Sequence, residues 1–359
     1  MELNPFYTPY RGGIERRIEA TTSRLSSRHE CFVVTSRLPG TLEEEKIAGA
    51  TVIRLKSTYF GRYNPPFVRT PGVGEALASL SPDVVDYHYR WAGSYNRPFF
   101  SFDGGKLVTF HNTFGEGTGL LRFLSVLNDA HYISRLKKGI RTIAVSSYVR
   151  DQLISHGIEP AQVEAIPNGI DMHRCNPSDE GFALFVGRLV PSKGLVSLVN
   201  AVRMCGVRTV IAGDGPLFST LKRLSSGLPV ELLGRIDEER KEELLLSCSF
   251  FVLPSIQESF GIAALEAMAH GKAVVVTATG GLPEVVGGGG LVVPVGDARS
   301  LASSMKRLAE DSELRLMMGR KAEERAHTFS WDRIVQSIER TYTAVVREYR
   351  PFSQSSDSL

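Results

Sequence analysis

Short apolar runs alternate with amphipathic stretches along most of the chain. In the first half, this pattern predicts buried strands at about 30–36, 50–55, 83–89, 106–110 and 142–145. Helical periodicity marks most of the intervening stretches, beginning at 13–27, where the apolar residues share one face. Because strands that alternate with helices usually pair in parallel, we predict a parallel sheet.

The second half repeats this architecture without repeating the sequence. Further strands are predicted at 182–187, 209–212, 230–233, 250–253, 273–277 and 291–293, followed by helices at about 298–309, 312–326 and 331–349. The resulting organisation is an N-terminal domain at 1–172, a turn-rich linker at 173–181, a C-terminal domain at 182–335, a helix at 336–352 that packs back toward the N-terminal domain, and a disordered tail at 353–359. We therefore predict two doubly wound α/β domains.

Composition narrows the class of protein. A chain of 359 residues can form two cores, and a net charge of +3 gives no argument for nucleic-acid binding. No apolar run approaches the length of about 18 residues that indicates a membrane span, and the first residues lack the pattern of a signal peptide. The four cysteines have no C-x-x-C spacing, which favours reduced structural thiols. A cytoplasmic protein is expected.

The strongest chemical signal follows the predicted strand at 250–253. Small helix-forming residues fill 263–269, and Gly271 stands where a left-handed residue would end a helix, so the helix must begin near 259–261. A helix N-terminus at the carboxyl end of a parallel strand is suited to binding an anion. Glu258 and Glu266 flank this point. From their spacing alone they could hold a ribose and a sugar ring, or they could be a helix-capping charge and a solvated helix residue.

A second cluster lies in the segment Gly-Arg-x4-Lys-Gly at 187–194. Arg188 and Lys193 follow the first predicted strand of the C-terminal domain. A guanidinium binds two phosphate oxygens at once and an ammonium acts as a point charge, so this pair could neutralise a diphosphate. The alternative is a solvated pair of basic residues.

The N-terminal half offers three weaker signals. Gly12 and Gly13 precede a predicted helix, where they could admit a phosphate or simply form a tight turn. His111 follows a predicted strand and is either a cleft residue or a satisfied structural histidine. The predicted helix at 119–138 combines apolar and basic residues, which fits either contact with anionic lipid or a core-facing helix with a basic edge.

Taken together, the motifs resemble those of a known family. The segments Pro-Ser-x-x-Glu-Ser-Phe-Gly at 254–261, Glu-Ala-Met-Ala at 266–269, Gly-Gly-Leu-Pro-Glu-Val-Val at 280–286 and Gly-Arg-x4-Lys-Gly at 187–194 resemble the donor site of retaining glycosyltransferases of family 4. The resemblance extends from about Gly12 to Tyr349. It implies the GT-B fold, in which two Rossmann-like domains face each other across a cleft. Relatives of this family usually begin with a full apolar strand, whereas residues 1–10 contain two prolines, so the first strand is very short here or the start is placed late.

The resemblance also implies roles for individual residues. Arg188 and Lys193 would bind the donor diphosphate, Glu266 the ribose and Glu258 the sugar hydroxyls, while His111 would contact the sugar from the opposite domain. Further donor contacts are implied at Gly12, Gly13, Asp214, Ile236, Ser259, Phe260 and Gly261.

The predicted activity is transfer of a hexosyl group from a UDP- or GDP-linked sugar to a hydroxyl on a glycan, a lipid or a small molecule, with retention of configuration. No Asp-x-Asp motif stands at a suitable strand end, so we expect neither a metal nor a cofactor. Two alternatives stay open: a sugar-nucleotide epimerase of the same architecture and a nucleotide-sugar binding protein without transfer activity. Peripheral membrane contact through 119–138 is a further hypothesis.

Overall fold

A computed structural model describes residues 1–60, 66–89, 91–117, 119–172 and 178–349. The strands of the N-terminal domain are β1 (Glu2–Leu3), β2 (Phe32–Ser36), β3 (Glu44–Ile47), β4 (Ala50–Leu55), β5 (Thr58–Phe60), β6 (Phe67–Arg69), β7 (Val84–Tyr87), β8 (Gly105–Phe110), β9 (Arg141–Ala144) and β10 (Val163–Ala165). Eight of them form one sheet in the order β10-β9-β8-β7-β1-β2-β4-β3, and β5 and β6 form a separate antiparallel pair. Within the large sheet, β3 pairs antiparallel with β4 and the other recorded pairs are parallel.

The first strand is only two residues long, yet it lies in the middle of this sheet. Glu2 stands opposite Val33 of β2 on one side and Asp86 of β7 on the other. Backbone hydrogen bonds prolong the pairing, since the amide of Asn4 donates to the carbonyl of Val34 at 3.2 Å. The register therefore places two carboxylates, those of Glu2 and Asp86, side by side in a buried sheet.

The helices of this domain are α1 (Gly13–Leu25), α2 (Val73–Leu80), α3 (Gly93–Ser101), α4 (Gly119–Leu136) and α5 (Ser147–Ser155). Helix α1 buries one side, including Ile18 and Leu25, as its apolar periodicity predicts. Helix α5 is capped by Ser146, whose hydroxyl accepts a hydrogen bond from the amide of Val149. These helices cover the sheet and leave the carboxyl ends of its strands facing the other domain.

The C-terminal domain is a smaller sheet of parallel strands. It contains β11 (Ala183–Val186), β12 (Thr209–Ala212), β13 (Val230–Gly234), β14 (Phe250–Leu253), β15 (Ala273–Thr277) and β16 (Gly290–Val293), in the order β13-β12-β11-β14-β15-β16. Its helices are α6 (Leu195–Cys205), α7 (Phe218–Leu224), α8 (Glu238–Ser247), α9 (Ile262–Ala269), α10 (Leu282–Val286), α11 (Ala298–Glu310) and α12 (Ser312–His327). The strand order reverses direction between β11 and β14, and ligands of open α/β sheets bind at such a point.

The last helix, α13 (Trp331–Tyr349), packs on the N-terminal domain. Trp331 and Ile334 at its start already belong to a buried cluster with Leu107 and Ile143 of the N-terminal sheet. The domain boundary predicted between 335 and 336 thus falls inside a continuous helix, and the chain leaves the C-terminal domain before Trp331. Most of the predicted linker, 173–177, and the predicted tail, 353–359, lie outside the described residues.

Across the described part of the chain, the structure has no helix with the length and hydropathy needed to cross a membrane.

Candidate active site

Residues from both domains line a cavity of about 130 Å³. The N-terminal domain contributes three residues that follow β8, and the C-terminal domain contributes the loops after β11 and β14; together they are Asn112, Thr113, Glu116, Arg188, Ser192, Lys193, Gln257, Glu258 and Ser259. The domains also touch here, because the Gln257 side chain accepts a hydrogen bond from the amide of Gly117 at 3.2 Å. The cavity brings together four predicted residues, Arg188, Lys193, Glu258 and Ser259.

Glu258 is paired with a predicted cation. The ammonium of Lys193 donates to Oε2 of Glu258 at 2.6 Å, and the hydroxyl of Ser255 donates to the same oxygen at 3.3 Å. The residue that caps α9 is Gly261, which makes no side-chain capping bond. The Glu258 carboxylate is therefore bound at the β11 loop, and the capping alternative for this residue is not the arrangement observed.

Two glycines hold the loop that carries Glu258. Gly194 and Gly280 both have positive φ, at 66° and 55°. A Cβ at Gly194 would lie 1.9 Å from the carbonyl oxygen of Pro254, and one at Gly280 would lie 1.5 Å from that of Glu258. Only glycine allows both this backbone conformation and this approach, so the glycines of the two sequence motifs fix the path of residues 254–258.

Glu266 lies on α9, is buried, and joins an ion-pair network that crosses between the domains. Its Oε1 accepts hydrogen bonds from the guanidinium of Arg16 on α1 and, at 3.1 Å, from the ammonium of Lys241 on α8. Both cations also contact Glu238, at 2.6 Å and 2.8 Å. The alternative of a solvated helix residue is therefore wrong for Glu266, and its two partners, Arg16 and Lys241, were not predicted from the sequence.

The remaining predicted donor residues occupy different parts of the cleft. Gly12 directly precedes α1, and Tyr10 just before it lies near Arg188, whose charge partly offsets the increase in the Tyr10 pKa that burial causes. The loop of Asp214 packs beside the Arg188 loop, since the amide of Leu189 donates to the Asp214 carbonyl at 2.9 Å. Ile236 follows β13 at the edge of the sheet and is only half-buried.

His111 follows β8 and belongs to a buried network that the sequence analysis did not foresee. Nε2 of His111 lies 3.0 Å from Nδ1 of His88, and Nε2 of His88 lies 2.6 Å from Oε2 of Glu2. Asp86 lies 3.8 Å from His88 Nε2, and the hydroxyl of Tyr342 on α13 is within 2.9 Å of both carboxylates. Glu2, Asp86, His88 and His111 are buried and Tyr342 is half-buried, and the five residues come from four different elements or their ends.

The charges in this network are strongly coupled. Burial lowers the pKa of His88, but the neighbouring carboxylates of Asp86 and Glu2 outweigh it and raise that pKa above its ordinary value. Burial raises the pKa of Asp86, whereas for Glu2 the hydrogen bond and charge of His88 overcome burial and lower the pKa. The His88 imidazole thus lies between two acidic groups, Glu2 at 2.6 Å and Asp86 at 3.8 Å, whose proximity favours its protonated form.

The same residues have the donor types of a metal site, because ligand atoms of Glu2, Asp86 and His88 lie within 4.8 Å of one another. Each of them nevertheless has partners within the protein: Tyr342 for both carboxylates, Thr109 for Asp86 and His111 for His88. These contacts make a hydrogen-bonded network that is complete without an ion.

Two family models match the chain. Residues 11–174 match the model described as Glycosyltransferase Family 4, and residues 174–325 match the model described as Glycosyl transferases group 1. The two matches together span both domains.

Curated proteins of similar sequence carry related descriptions. An uncharacterized glycosyltransferase of Methanocaldococcus jannaschii is 34% identical over 344 residues, which cover 94% of this chain and 95% of that protein. A phosphatidyl-myo-inositol mannosyltransferase of Mycolicibacterium smegmatis is 31% identical over 284 residues, which cover 73% of this chain and 71% of that protein.

Solved structures share the architecture. Sucrose-phosphate synthase from Thermosynechococcus elongatus superposes with a TM-score of 0.79 at 20% identity and covers 97% of this chain and 98% of its own. HepE of Anabaena, in complex with UDP and glucose, superposes with a TM-score of 0.75 at 19% identity, covering 96% and 98% of the two chains. At such low sequence identity the superpositions show the fold alone, and they confirm the predicted GT-B arrangement.

Proposed function

This chain belongs to the group 1 glycosyltransferases, and we propose that it transfers a hexosyl group from a nucleotide-diphosphate sugar to a hydroxyl acceptor with retention of anomeric configuration. The observation that carries the proposal is the convergence of Arg188, Lys193 and Glu258 with the N-terminal end of α9, at the point where both domains line one cavity. Both family models describe transferases, which supports transfer over the epimerase and binding-protein alternatives.

The first requirement of the reaction is stabilisation of the departing diphosphate. Arg188 and Lys193 supply two positive charges, and the amides near Ser259–Gly261 supply hydrogen-bond donors at the start of a helix. Such preorganised groups act most strongly on charge that develops in the transition state. Because Lys193 already neutralises Glu258, its ammonium would be shared between that carboxylate and the phosphate when a donor binds.

The second requirement is orientation of the sugar. Glu258 accepts hydrogen bonds from sugar hydroxyls in this proposal, and His111 contacts the sugar from the opposite domain. The acceptor hydroxyl then attacks on the face that the diphosphate leaves, and a phosphate oxygen of the leaving group takes its proton. A covalent Glu258 intermediate is the chemical alternative, since it would also retain configuration.

The third requirement is recognition of the nucleotide. Glu266 binds the ribose hydroxyls in this proposal, which means that its carboxylate is shared with Arg16 and Lys241 or released by one of them. We expect neither a metal nor a cofactor, because Arg188 and Lys193 can replace a divalent ion at the diphosphate.

A lipid acceptor is favoured by the exposed side of α4. Phe123, Leu124 and Leu127 are 59%, 46% and 53% exposed, and Arg122 beside them is exposed as well, while Tyr132 and Ile133 in the second half of the helix are buried. The second half thus packs as a core-facing helix. The first half exposes these three apolar side chains beside one arginine, which supports peripheral contact with an anionic membrane.

Vesicle binding tests the lipid contact. Cosedimentation with phosphatidylglycerol vesicles at low salt should fall in the double variant Phe123→Ser/Leu127→Ser and stay unchanged in Leu316→Ser, which alters an apolar residue that is 63% exposed on α12. Equal binding of all three proteins would contradict the role of α4.

Donor binding tests the proposed function. Thermal stabilisation by a panel of UDP-, GDP- and ADP-sugars, each with and without EDTA, should identify one donor whose effect is insensitive to EDTA and is lost in Arg188→Ala. Product analysis with that donor then gives the anomeric configuration. An inverted product would contradict retention, and stabilisation that disappears with EDTA would contradict metal independence.

A further inference from the structure

The buried network of Glu2 and His88 behind His111 affects where the His111 ring carries its proton. We propose that His88, backed by Glu2, is a positioning residue that fixes the proton of His111 on Nδ1, so that His111 acts as a hydrogen-bond donor and not as a base. This inference rests on the proposed function for its meaning in catalysis, but its central claim concerns the free protein.

Three buried side chains, those of Glu2, His88 and His111, lie in a row. Glu2, His88 and His111 form a continuous chain in which both ring nitrogens of His88 are engaged, Nε2 with Glu2 at 2.6 Å and Nδ1 with His111 Nε2 at 3.0 Å. Both histidines follow neighbouring parallel strands, β7 and β8, and Glu2 lies on β1 on the other side of β7. The sheet itself therefore holds the three groups in line.

The partners of His88 determine where its ring carries protons. A carboxylate only accepts hydrogen bonds, so Nε2 of His88 must carry a proton. Two acidic groups face this ring, Glu2 at 2.6 Å and Asp86 at 3.8 Å, which favours a second proton on Nδ1. That proton points at Nε2 of His111, which must then accept it.

The consequence for His111 is a fixed tautomer. If Nε2 accepts a hydrogen bond, a neutral imidazole carries its proton on Nδ1. His111 cannot become charged at the same time, because two N–H groups would then face each other across 3.0 Å. The residue is consequently held neutral, with its proton on Nδ1.

Other charged and titratable groups also lie around His88. Arg17 on α1 is buried, and its charge opposes protonation of His88. On the same helix, the charge of His88 partly offsets the increase in the Glu15 pKa that burial causes. The hydroxyl of Tyr342 on α13 lies within hydrogen-bond distance of both carboxylates, at 2.9 Å from Glu2 and 2.7 Å from Asp86. The two nearest groups, Glu2 and Asp86, still dominate because they lie closest to the ring.

Imidazole ¹⁵N NMR of the full-length protein tests the tautomer without any substrate. In the wild type, His111 should show a protonated Nδ1 and a bare Nε2 near neutral pH. The variant Glu2→Gln should remove the charge that favours the imidazolium and shift His111 toward the Nε2–H tautomer. Ser36→Ala is the matched control, because it removes a buried hydroxyl of the same sheet outside this chain, and it should leave the His111 signals unchanged.

Kinetics with the donor identified by thermal stabilisation provide the second readout. Loss of the positioning contact should lower kcat about 10- to 100-fold in Glu2→Gln, the range seen when the outer partner of an oriented histidine is removed, with less than about a threefold change in donor affinity. A protonated Nε2 on wild-type His111, or a tautomer that is the same in Glu2→Gln and wild type, would overturn the inference even if kcat fell. If no donor is turned over while the tautomer behaves as expected, the proposed function fails and the assignment of His88 stands.

Discussion

The two walls of the cleft are built in opposite ways. On the C-terminal wall, Lys193 and Glu258 form a direct pair, with side chains 19% and 12% exposed, on loops that follow β11 and β14. On the N-terminal side, His111 is backed by buried Glu2, Asp86 and His88, and none of these four residues lines the cavity. The C-terminal wall therefore places a charged pair in the cavity, whereas the charged network of the N-terminal domain is buried behind its wall.

This difference suggests a division of labour. Charges that must respond to a diphosphate need access to the ligand, and Lys193 lines the cavity. A group that must keep one proton in one place needs fixed partners in a low dielectric, which the buried sheet provides. Each wall can be tested separately by removing its charge.

The largest effect is expected on the C-terminal wall. Lys193→Ala should lower kcat about 10²- to 10³-fold, because it removes one of the groups that stabilise the departing diphosphate. Steady-state kinetics of the transfer reaction measure this loss. Lys306→Ala, which removes a lysine of similar charge from the exposed surface of α11, should leave kcat unchanged. A loss below tenfold in Lys193→Ala would mean that this wall does not carry the leaving-group charge.

A buried carboxyl group of the N-terminal domain should make the stability of the protein depend on pH. Burial raises the pKa of Glu15 on α1 from its ordinary value of 4.5 to about 7. A carboxyl group whose folded-state pKa is raised contributes its full stability below the unfolded pKa and loses it as the pH rises through the folded pKa. Wild-type stability should therefore fall between about pH 4.5 and pH 7 by up to about 3 kcal/mol from this group alone.

The variant Glu15→Gln should remove this dependence, because an amide cannot ionise. Its unfolding midpoint relative to wild type, measured by thermal unfolding, should rise from pH 5 to pH 8, while Glu19→Gln, at an exposed position of the same helix, should follow the wild type. A constant offset between Glu15→Gln and wild type across this range would show that Glu15 does not titrate there.

The two walls also differ in how far the sequence predicted them. Strands β12, β14 and β15 and helix α13 span the predicted residues, and Arg188, Lys193 and Glu258 meet as expected, because each lies within a few positions of a strand end in its own motif. Local patterns determine strand ends, and parallel strands bring their ends together.

The N-terminal network could not be found in the same way. Glu2, His88, His111 and Tyr342 are 23 to 340 positions apart in the pairs that contact each other. Their contact depends on the order of β1, β7 and β8 and on the return of α13, none of which the apolar pattern specifies. Arg16 was missed for a related reason, since its partners Glu238 and Glu266 lie in the other domain.

Arg16 connects the two walls, and the smallest predicted effect concerns it. Glu266→Ala should weaken donor affinity about tenfold or more, because the ribose would lose a hydrogen bond to a charged group worth about 1.5–3 kcal/mol. Arg16→Ala should not weaken it, because Lys241 still neutralises Glu266 while one competitor for the carboxylate is gone. Calorimetric titration with the nucleotide sugar measures both. Intact affinity in Glu266→Ala would contradict the ribose role, and a tenfold loss in Arg16→Ala would mean that the contact between the walls assembles the donor site instead of competing with it.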